Sequence, residues 1–598
     1  MDERDPEIER NFIIFMVVVM ICLFGWMYFS ARNAQKKPLP QQKSVVQETS
    51  PAKQEPAPEI TEPETIPSQK PEESQPLQLA QNPEIEEKTI TVTSPLYKIV
   101  FSNKGGVPIS WELLNYKDRV YFPYEISLKW PPFKRVEKFT PQPVQLIRPE
   151  LKDKPPLRSR IVVNGMEIQP DTLWDVEAKD ISVENGPAEV EFRLTLSQGV
   201  VLKKIYTFYP DQYRSELKIE YSGLEPDPKQ SWTELELSYW FEPKSRLARL
   251  NFHGALNYTG KSLVRFNTND LNKKFLSAEK AKTNPQELVS YEKKSLTVES
   301  VDWTGFTDSY FLTAILARSD TPLKVWAYFD GTMEMVEDKN ASKEYAMKIK
   351  AQPGAQDISS HCLTQLELYF GPKEKQGLEK VRKSLAAAID YGKYLGVIAI
   401  PMMYALIYTN KLVHNFGWSI VILTIILRMA MFPITRKGQK SMKELQKLQP
   451  EMEKIRKKYP DDRLKQQEEL TALYRKYKIN PMGGCLPILI QIPIFFAFYR
   501  VLLVSIELRH APWILWIQDL SSRDPLLILP LLMGLSQFFM QKLTPTTTMD
   551  PTQAKMMMLM PLVFTFMLVY FPSGLLLYWT VSNIIGIAQQ IYVNKVSE

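Results

Sequence analysis

The apolar residues of this chain are gathered into long uncharged runs, and that pattern, more than composition, limits the folds open to it. Positions 12–29 are 18 consecutive residues without a charge, the threshold for crossing a hydrocarbon layer of about 30 Å. Further runs recur at 394–409, 417–427 (resuming past Arg428 to Ile434), 486–506 (interrupted by Arg500), 525–541, 556–571 and 574–593. Averages conceal this: over 598 residues the charged fraction is 24% and the mean hydropathy −0.23, values of an ordinary soluble protein. Three cysteines and four separated histidines, with no Cys-x-x-Cys, argue against a disulfide scaffold, a zinc site or an iron–sulfur cluster.

The first run is longer than the apolar centre of a cleaved signal peptide, and Tyr28, Phe29 and Arg32 spoil a small-x-small cleavage pattern. An uncleaved anchor over 1–30 is expected. Its flanks are ambiguous, since Arg4 and Arg10 precede it while Arg32, Lys36 and Lys37 follow. Orientation comes from the C-terminal third. Positions 435–480 carry 14 Lys/Arg against seven Asp/Glu, an excess that marks a cytoplasmic loop. The loop 507–524 has only Arg509 and Arg523 against Glu507, Asp519 and Asp524, which suits the outer side. With an inward N-terminus, only one span fits between residue 30 and the basic loop, namely 417–434. The run 394–409, interrupted by Pro401 and followed by Lys411 and His414, is then expected along the outer interface, within a connecting segment 373–416. The sum is a bundle of six transmembrane helices, both termini cytoplasmic and 31–416 outside.

Residues 31–87 hold ten prolines and no aromatic residue, too little apolar matter to repay ordering, so a disordered linker is expected. From 88 to 372 the pattern changes to short period-two alternations, as in Val190-Glu-Phe-Arg-Leu-Thr-Leu196 and Leu217-Lys-Ile-Glu-Tyr221, with similar stretches at 89–92, 96–101 and 323–329. These predict one large all-β sandwich. Cys362 is its only cysteine, and no nucleophile motif or recognisable carboxylate pair appears. A structural or docking role is the plain reading, a sugar-binding or enzymatic one the alternative. Within 436–480, Leu445, Leu448, Met452 and Ile455 form one helical seam, and Leu470, Leu473, Tyr474 and Tyr477 a second, on either side of Pro460-Asp-Asp462. They predict an antiparallel helical hairpin. Its charge fits simple retention on the inner side and, equally, docking of an RNA-rich or acidic partner.

Arg428 interrupts the second span eight residues before Arg436, about 12 Å deep at 1.5 Å per residue. No Asp or Glu lies within the six spans. An arginine there costs about 2.5–3.5 kcal/mol on the lenient insertion scale unless it meets water or a partner. Snorkelling to the inner headgroups is one escape; a hydrated, inward-facing pocket is the other, and the reading adopted. Thr424 lies one turn away, Gln491 in the third span, Ser536 and Gln537 in the fourth, and Trp579 with Asn583 on one face of the sixth. Each alone is an ordinary interhelical hydrogen bond, worth about 0.6 kcal/mol. The fourth and fifth spans have apolar cores of only ~15–16 residues, near 23 Å. Met556, Met557, Met558 and Met560 enter the fifth; they suit a surface that accepts many apolar partners, or are plain filler.

Two long stretches carry a resemblance. Ile479-Asn-Pro-Met-Gly-Gly-Cys-Leu-Pro-Ile-Leu-Ile-Gln-Ile-Pro-Ile-Phe495 and Phe571-Pro-Ser-Gly-Leu-Leu-Leu-Tyr-Trp-Thr-Val-Ser-Asn583 resemble the signature segments of the YidC membrane protein insertases. So do Glu507-Leu-Arg-His-Ala-Pro-Trp513 and Asp524-Pro-Leu-Leu-Ile-Leu-Pro530, with a looser likeness at 303–315 and Tyr369-Phe-Gly-Pro372. The resemblance implies an insertase and chaperone of the bacterial inner membrane, not an enzyme and without cofactor or metal, working alone or beside the Sec translocon. It makes the β-region a periplasmic supersandwich and 417–598 a five-helix insertase core. A hydrophilic groove would comprise Arg428, Thr424, Gln491, Gln537, Trp579 and Asn583. A client slide would run over Phe495 of the third span and Met557, Met560 and Phe564 of the fifth. Client membrane proteins and the lipid bilayer are the implied partners, with the ribosome or signal recognition machinery expected at the basic hairpin. At the family's usual Tyr-Tyr pair this chain has Tyr578-Trp579, which removes one hydroxyl and keeps stacking.

Overall fold

The computed structural model describes residues 85–596, apart from 127–132, 148–154, 178, 224–226, 228, 242–253, 268–295, 319–322, 329–344, 353–361, 393, 461, 478, 480–485 and 544–550. The anchor expected over 1–30, and the linker over 31–87 save its last three residues, lie outside the described residues.

Alternation in the sequence becomes alternation of burial. In Ala188–Thr195 the residues Val190, Phe192 and Leu194 point inward, and in Arg214–Ser222 so do Leu217, Ile219 and Tyr221, because successive side chains leave a strand on opposite faces. Among the described residues the strands form sheets of five, nine and six strands and a two-stranded ribbon. Pairing is antiparallel except between Thr89–Thr93 and Ile181–Ser182. The five-stranded sheet covers the nine-stranded one through aromatic contacts: Trp111 stacks on Phe370 at 4.5 Å, and Phe101 meets Tyr206 at 4.9 Å.

The last strand, Cys362–Pro372, is central in the nine-stranded sheet, between Arg214–Ser222 and Phe311–Leu316. The chain therefore leaves the β-region from its most constrained element. Helix α1 (Lys375–Val381) follows. Arg382 just beyond it binds Asp302 at 2.6 Å and Glu367 at 3.0 Å, which pins the exit back onto the sheet. Contacts between the helical region and the β-region include the Arg509 guanidinium, which lies over Tyr310 and Phe311 and donates to the Asp118 carbonyl at 3.0 Å, and Ile126 N–H, which donates to the Pro525 carbonyl at 2.8 Å. Arg500 pairs with Asp390 of the connecting segment at 2.9 Å.

Helices α2 (Gly396–Val413) and α3 (Phe416–Lys447) are separated by His414, in the left-handed region, and by Asn415, whose side chain caps α3 by accepting from Trp418 N–H. Both are long and apolar enough to cross a membrane by length and composition. Thus α2, expected along the outer interface, meets the same criterion as α3. Shorter apolar stretches are Leu489–Val504, Ile528–Leu543 and Leu559–Leu568. They belong to α6 (Leu486–Val504), α7 (Ile528–Leu543) and α8 (Pro551–Leu568), and α9 (Ser573–Val596) closes the chain. Where the sequence reading counts six spans, the described residues supply two helices of full spanning length by this criterion. At 32 residues, α3 is about 48 Å long, longer than a ~30 Å hydrocarbon layer.

The hairpin forms from α4 (Gln449–Lys458) and α5 (Arg463–Lys476). Leu448, Met452 and Leu473 are buried between them, with Ile455, Leu470 and Tyr474 packed around. Asp462 caps α5 through Lys465 N–H at 3.0 Å. Tyr477, expected in the seam, is instead exposed and donates its hydroxyl to Glu451. The polar end of its ring finds a carboxylate outside the seam, where none lies within it.

One inward position breaks the apolar pattern. On Val201–Phe208, Leu202, Lys204, Tyr206 and Phe208 face the core. Lys204 is fully buried, with Nζ donating to the Gly105 carbonyl at 3.1 Å and to Ser159 Oγ at 3.0 Å. Burial pushes its pKa down from 10.5 to about 7, because desolvation penalises the ammonium. A depressed folded pKa makes stability greatest above 10.5, and this share is lost as pH falls towards 7. Thermal unfolding of the full chain followed by β-sheet circular dichroism should show stability rising from pH 7 to pH 10, by at most ~1.4 kcal/mol per pH unit. Lys204→Met should flatten that rise; an unchanged slope in the variant would assign it to other groups.

Candidate functional site

Helix α9 is the element around which the polar residues of the helical region assemble. It packs on α3 and α7, and more lightly on α6. Its buried face includes Ser582, Asn583, Gly586, Gln589 and Gln590, a polar stripe at the three- and four-residue spacing of one helix side.

Arg428 projects from α3 against this stripe and is buried. Its Nε donates to Ser582 Oγ at 2.6 Å, and Gln491 Nε2 from α6 donates to the same oxygen at 3.2 Å. Gln589 Nε2 donates to the Arg428 backbone carbonyl at 3.3 Å. Gly586 leaves room: a Cβ there would stand 3.7 Å from Nη1 and 3.1 Å from the Met540 methyl. The Arg428 side chain makes no other hydrogen bond and no ion pair to a described residue, and its Nη nitrogens are absent from the fully buried unpartnered atoms. Arg428 as a whole keeps 9% of its surface exposed. Thr424 is buried on the same side, but its hydroxyl donates to the Ile420 carbonyl at 2.6 Å. It lines the site without touching the guanidinium through that bond.

A second polar group lies between α9 and α7. Trp579 Nε1 donates to Gln537 Oε1 at 3.3 Å, and Asn583 Nδ2 donates to Ser536 Oγ at 3.0 Å. The indole N–H thus supplies a donor where the tyrosine hydroxyl is missing. Trp579 also takes the edge of Phe495 at 4.9 Å and lies 5.9 Å from Phe564. Polar and apolar candidate surfaces meet on this one ring. Met560 is half-buried, and the side chain of Met557 lies outside the described residues. Ser582 and Gln589 are not among the residues the sequence singles out, although Ser582 lies three residues from Trp579 and Gln589 seven from Ser582, both helical spacings.

On the other side, Asp524 is fully buried and accepts from Leu526 N–H, Leu529 N–H and Trp516 Nε1 at 2.9, 2.6 and 3.0 Å. These bonds cap α7. Earlier in the same loop, burial pushes the Glu507 carboxyl up to about 7, and the Glu374 carboxylate pushes in the same direction.

The family model described as "60Kd inner membrane protein" matches residues 408–598, and that described as "YidC periplasmic domain" matches 127–405. The membrane protein insertase YidC of Syntrophus aciditrophicus is 33% identical over 511 residues, 85% of each chain. That of Geobacter metallireducens is 32% identical over 98% of each chain. The chain belongs to the YidC family of membrane protein insertases. A crystal structure of an active YidC insertase, 18% identical, covers 86% of this chain and 93% of its own, with a TM-score of 0.35. The two YidC family models meet inside α2, one ending at residue 405 and the other beginning at 408, between the β-sheet-rich periplasmic domain and the helical region that holds Arg428.

Helices α7 and α8 approach closely beside the site. A Cβ at Gly534 would lie 1.9 Å from Thr565 Oγ1 and 3.1 Å from its Cβ. Gly534→Ala should cost ~1–3 kcal/mol by overpacking, read as lowered thermal stability in detergent. Thr565→Ala in the same chain should recover most of that loss; additive losses would show that the helices do not meet there.

Proposed function

We propose that this insertase moves client transmembrane segments from the cytoplasm into the inner membrane through a hydrated, positively charged groove. The groove comprises Arg428, Thr424, Gln491, Gln537, Trp579 and Asn583. The observation that carries this reading is the state of Arg428: Nε bonded to Ser582, the Nη pair without a hydrogen bond to a described residue, and the residue still 9% exposed. Burying a guanidinium with most donors unmet is far costlier than a single neutral interhelical bond of about 0.6 kcal/mol repays. Water satisfies it at rest, and a client carboxylate does so in passage. The acidic N-tail enters from the cytoplasmic side and pairs with Arg428, while the apolar segment slides over Phe495, Met557, Met560 and Phe564 into lipid. Apolar burial at about 25 cal/mol per Å² drives the tail across, and the groove shortens its dry path.

In this reading the chain spans the membrane six times, with both termini cytoplasmic, α2 along the outer interface and the periplasmic domain a supersandwich that positions the helices. It also acts as a chaperone beside the Sec translocon, and its basic hairpin meets the ribosome or signal recognition machinery. No step requires a cofactor.

Liposomes holding only the purified chain should protect a single-span client with an acidic N-tail from protease. Arg428→Ala should lower that protection about tenfold, the equivalent of ~1.4 kcal/mol in the barrier, with Arg428→Lys, which keeps the charge but not the fork, between Ala and wild type. Equal insertion by all three would sink the electrostatic part of the mechanism.

A further inference from the structure

We propose that Ser582 is a positioning residue that turns the Arg428 guanidinium so that its Nη1–Nη2 edge alone receives the client, making end-on, bidentate capture of one carboxylate the mode of recognition. This rests on the groove reading above and adds to it a geometry and a residue. A guanidinium can bind a carboxylate with two parallel N–H···O bonds either side-on, through Nε and one Nη, or end-on, through both Nη. Here Nε is already committed to Ser582 Oγ at 2.6 Å, so only the end-on fork remains.

The anchor is itself held. A hydroxyl has two acceptor lone pairs, and those of Ser582 are taken by Arg428 Nε and Gln491 Nε2. The residue is 1% exposed, so water does not compete for them. One turn on, Gly586 clears the space beside Nη1, where a Cβ would sit 3.7 Å away. A further turn on, Gln589 binds the Arg428 carbonyl. Three α9 positions at helical spacing thus fix the plane, the clearance and the backbone of one arginine. Removing the hydroxyl frees the side chain to rotate and lets Nε compete for the client, without removing the charge.

The test uses full-length protein in liposomes and three clients identical but for zero, one or two aspartates in the N-tail (Asp→Asn). For wild type, insertion should rise about tenfold from the neutral to the two-aspartate tail, as expected for a charge-assisted pair. Ser582→Ala should keep the neutral client within about twofold of wild type yet flatten the rise to about twofold, and Ser582→Thr, which retains the hydroxyl, should restore it. A wild-type rise in Ser582→Ala, with the rise lost in Arg428→Ala, would overturn the positioning role and leave the groove reading standing. Equal loss of all three clients in Ser582→Ala would overturn it as well, since that marks a packing role only. A rise that survives Arg428→Ala would overturn the groove reading, and the positioning role with it.

Discussion

The helical region depends on a single electrostatic problem, a cation on an apolar helix with no carboxylate among the described residues to neutralise it. A guanidinium has five N–H donors, and one charge-assisted bond contributes ~1.5–3 kcal/mol. The bond to Ser582 offsets roughly the lenient insertion cost and leaves the outer donors to be met. That arithmetic explains why α9, rather than an apolar helix, lies beside α3. Its serine, glycine and glutamine at successive turns supply an acceptor, a clearance and a donor. Among the described residues its side chain is bound by a hydroxyl and by no carboxylate, so no acid there offsets its charge.

The second constraint is mechanical. The last strand of the β-region is central in its sheet, and Arg382 pins the following turn to Asp302 and Glu367. From there the chain enters the helices, and Arg500 on α6 returns to Asp390 in the connecting segment. The same α6 carries Gln491 and Phe495, about two and a half and one and a half turns from Arg500. The periplasmic domain is therefore coupled to the helix that contributes to both the polar and the apolar side of the site.

Much of this was legible beforehand for definite reasons. Strands such as Arg214–Ser222 announce themselves because a sheet with one buried face imposes period two. The hairpin seam announces itself because Leu448, Met452 and Leu473 have nowhere else to bury. Arg428 stood out because a charge in an apolar run is costly. Other features were not legible. Lys204 sits inward at a position its strand's alternation reserves for apolar residues, and only the placement of Gly105 and Ser159 from distant segments accommodates it. Tyr477 fitted a helical stripe yet left the seam for Glu451, since a stripe marks a face and not its last member. Ser582 was hidden inside an apolar signature, because serine in a membrane helix usually bonds its own backbone.

The sequence by itself determined which segments are β-rich, which are helical, where positive charge excess lies and which arginine has no acid near it along the chain. These are one-dimensional properties, set by hydrophobic period and local charge. Tertiary structure alone decided which hydroxyl Arg428 binds, which of its nitrogens makes that bond, and that Trp579 joins the polar and apolar surfaces. Each of those depends on the rotation of one helix about its axis relative to another, fixed by close contacts such as Gly534 against Thr565 and Gly574 against Leu502. Periodicity says that a helix has a polar face; only packing says what that face meets.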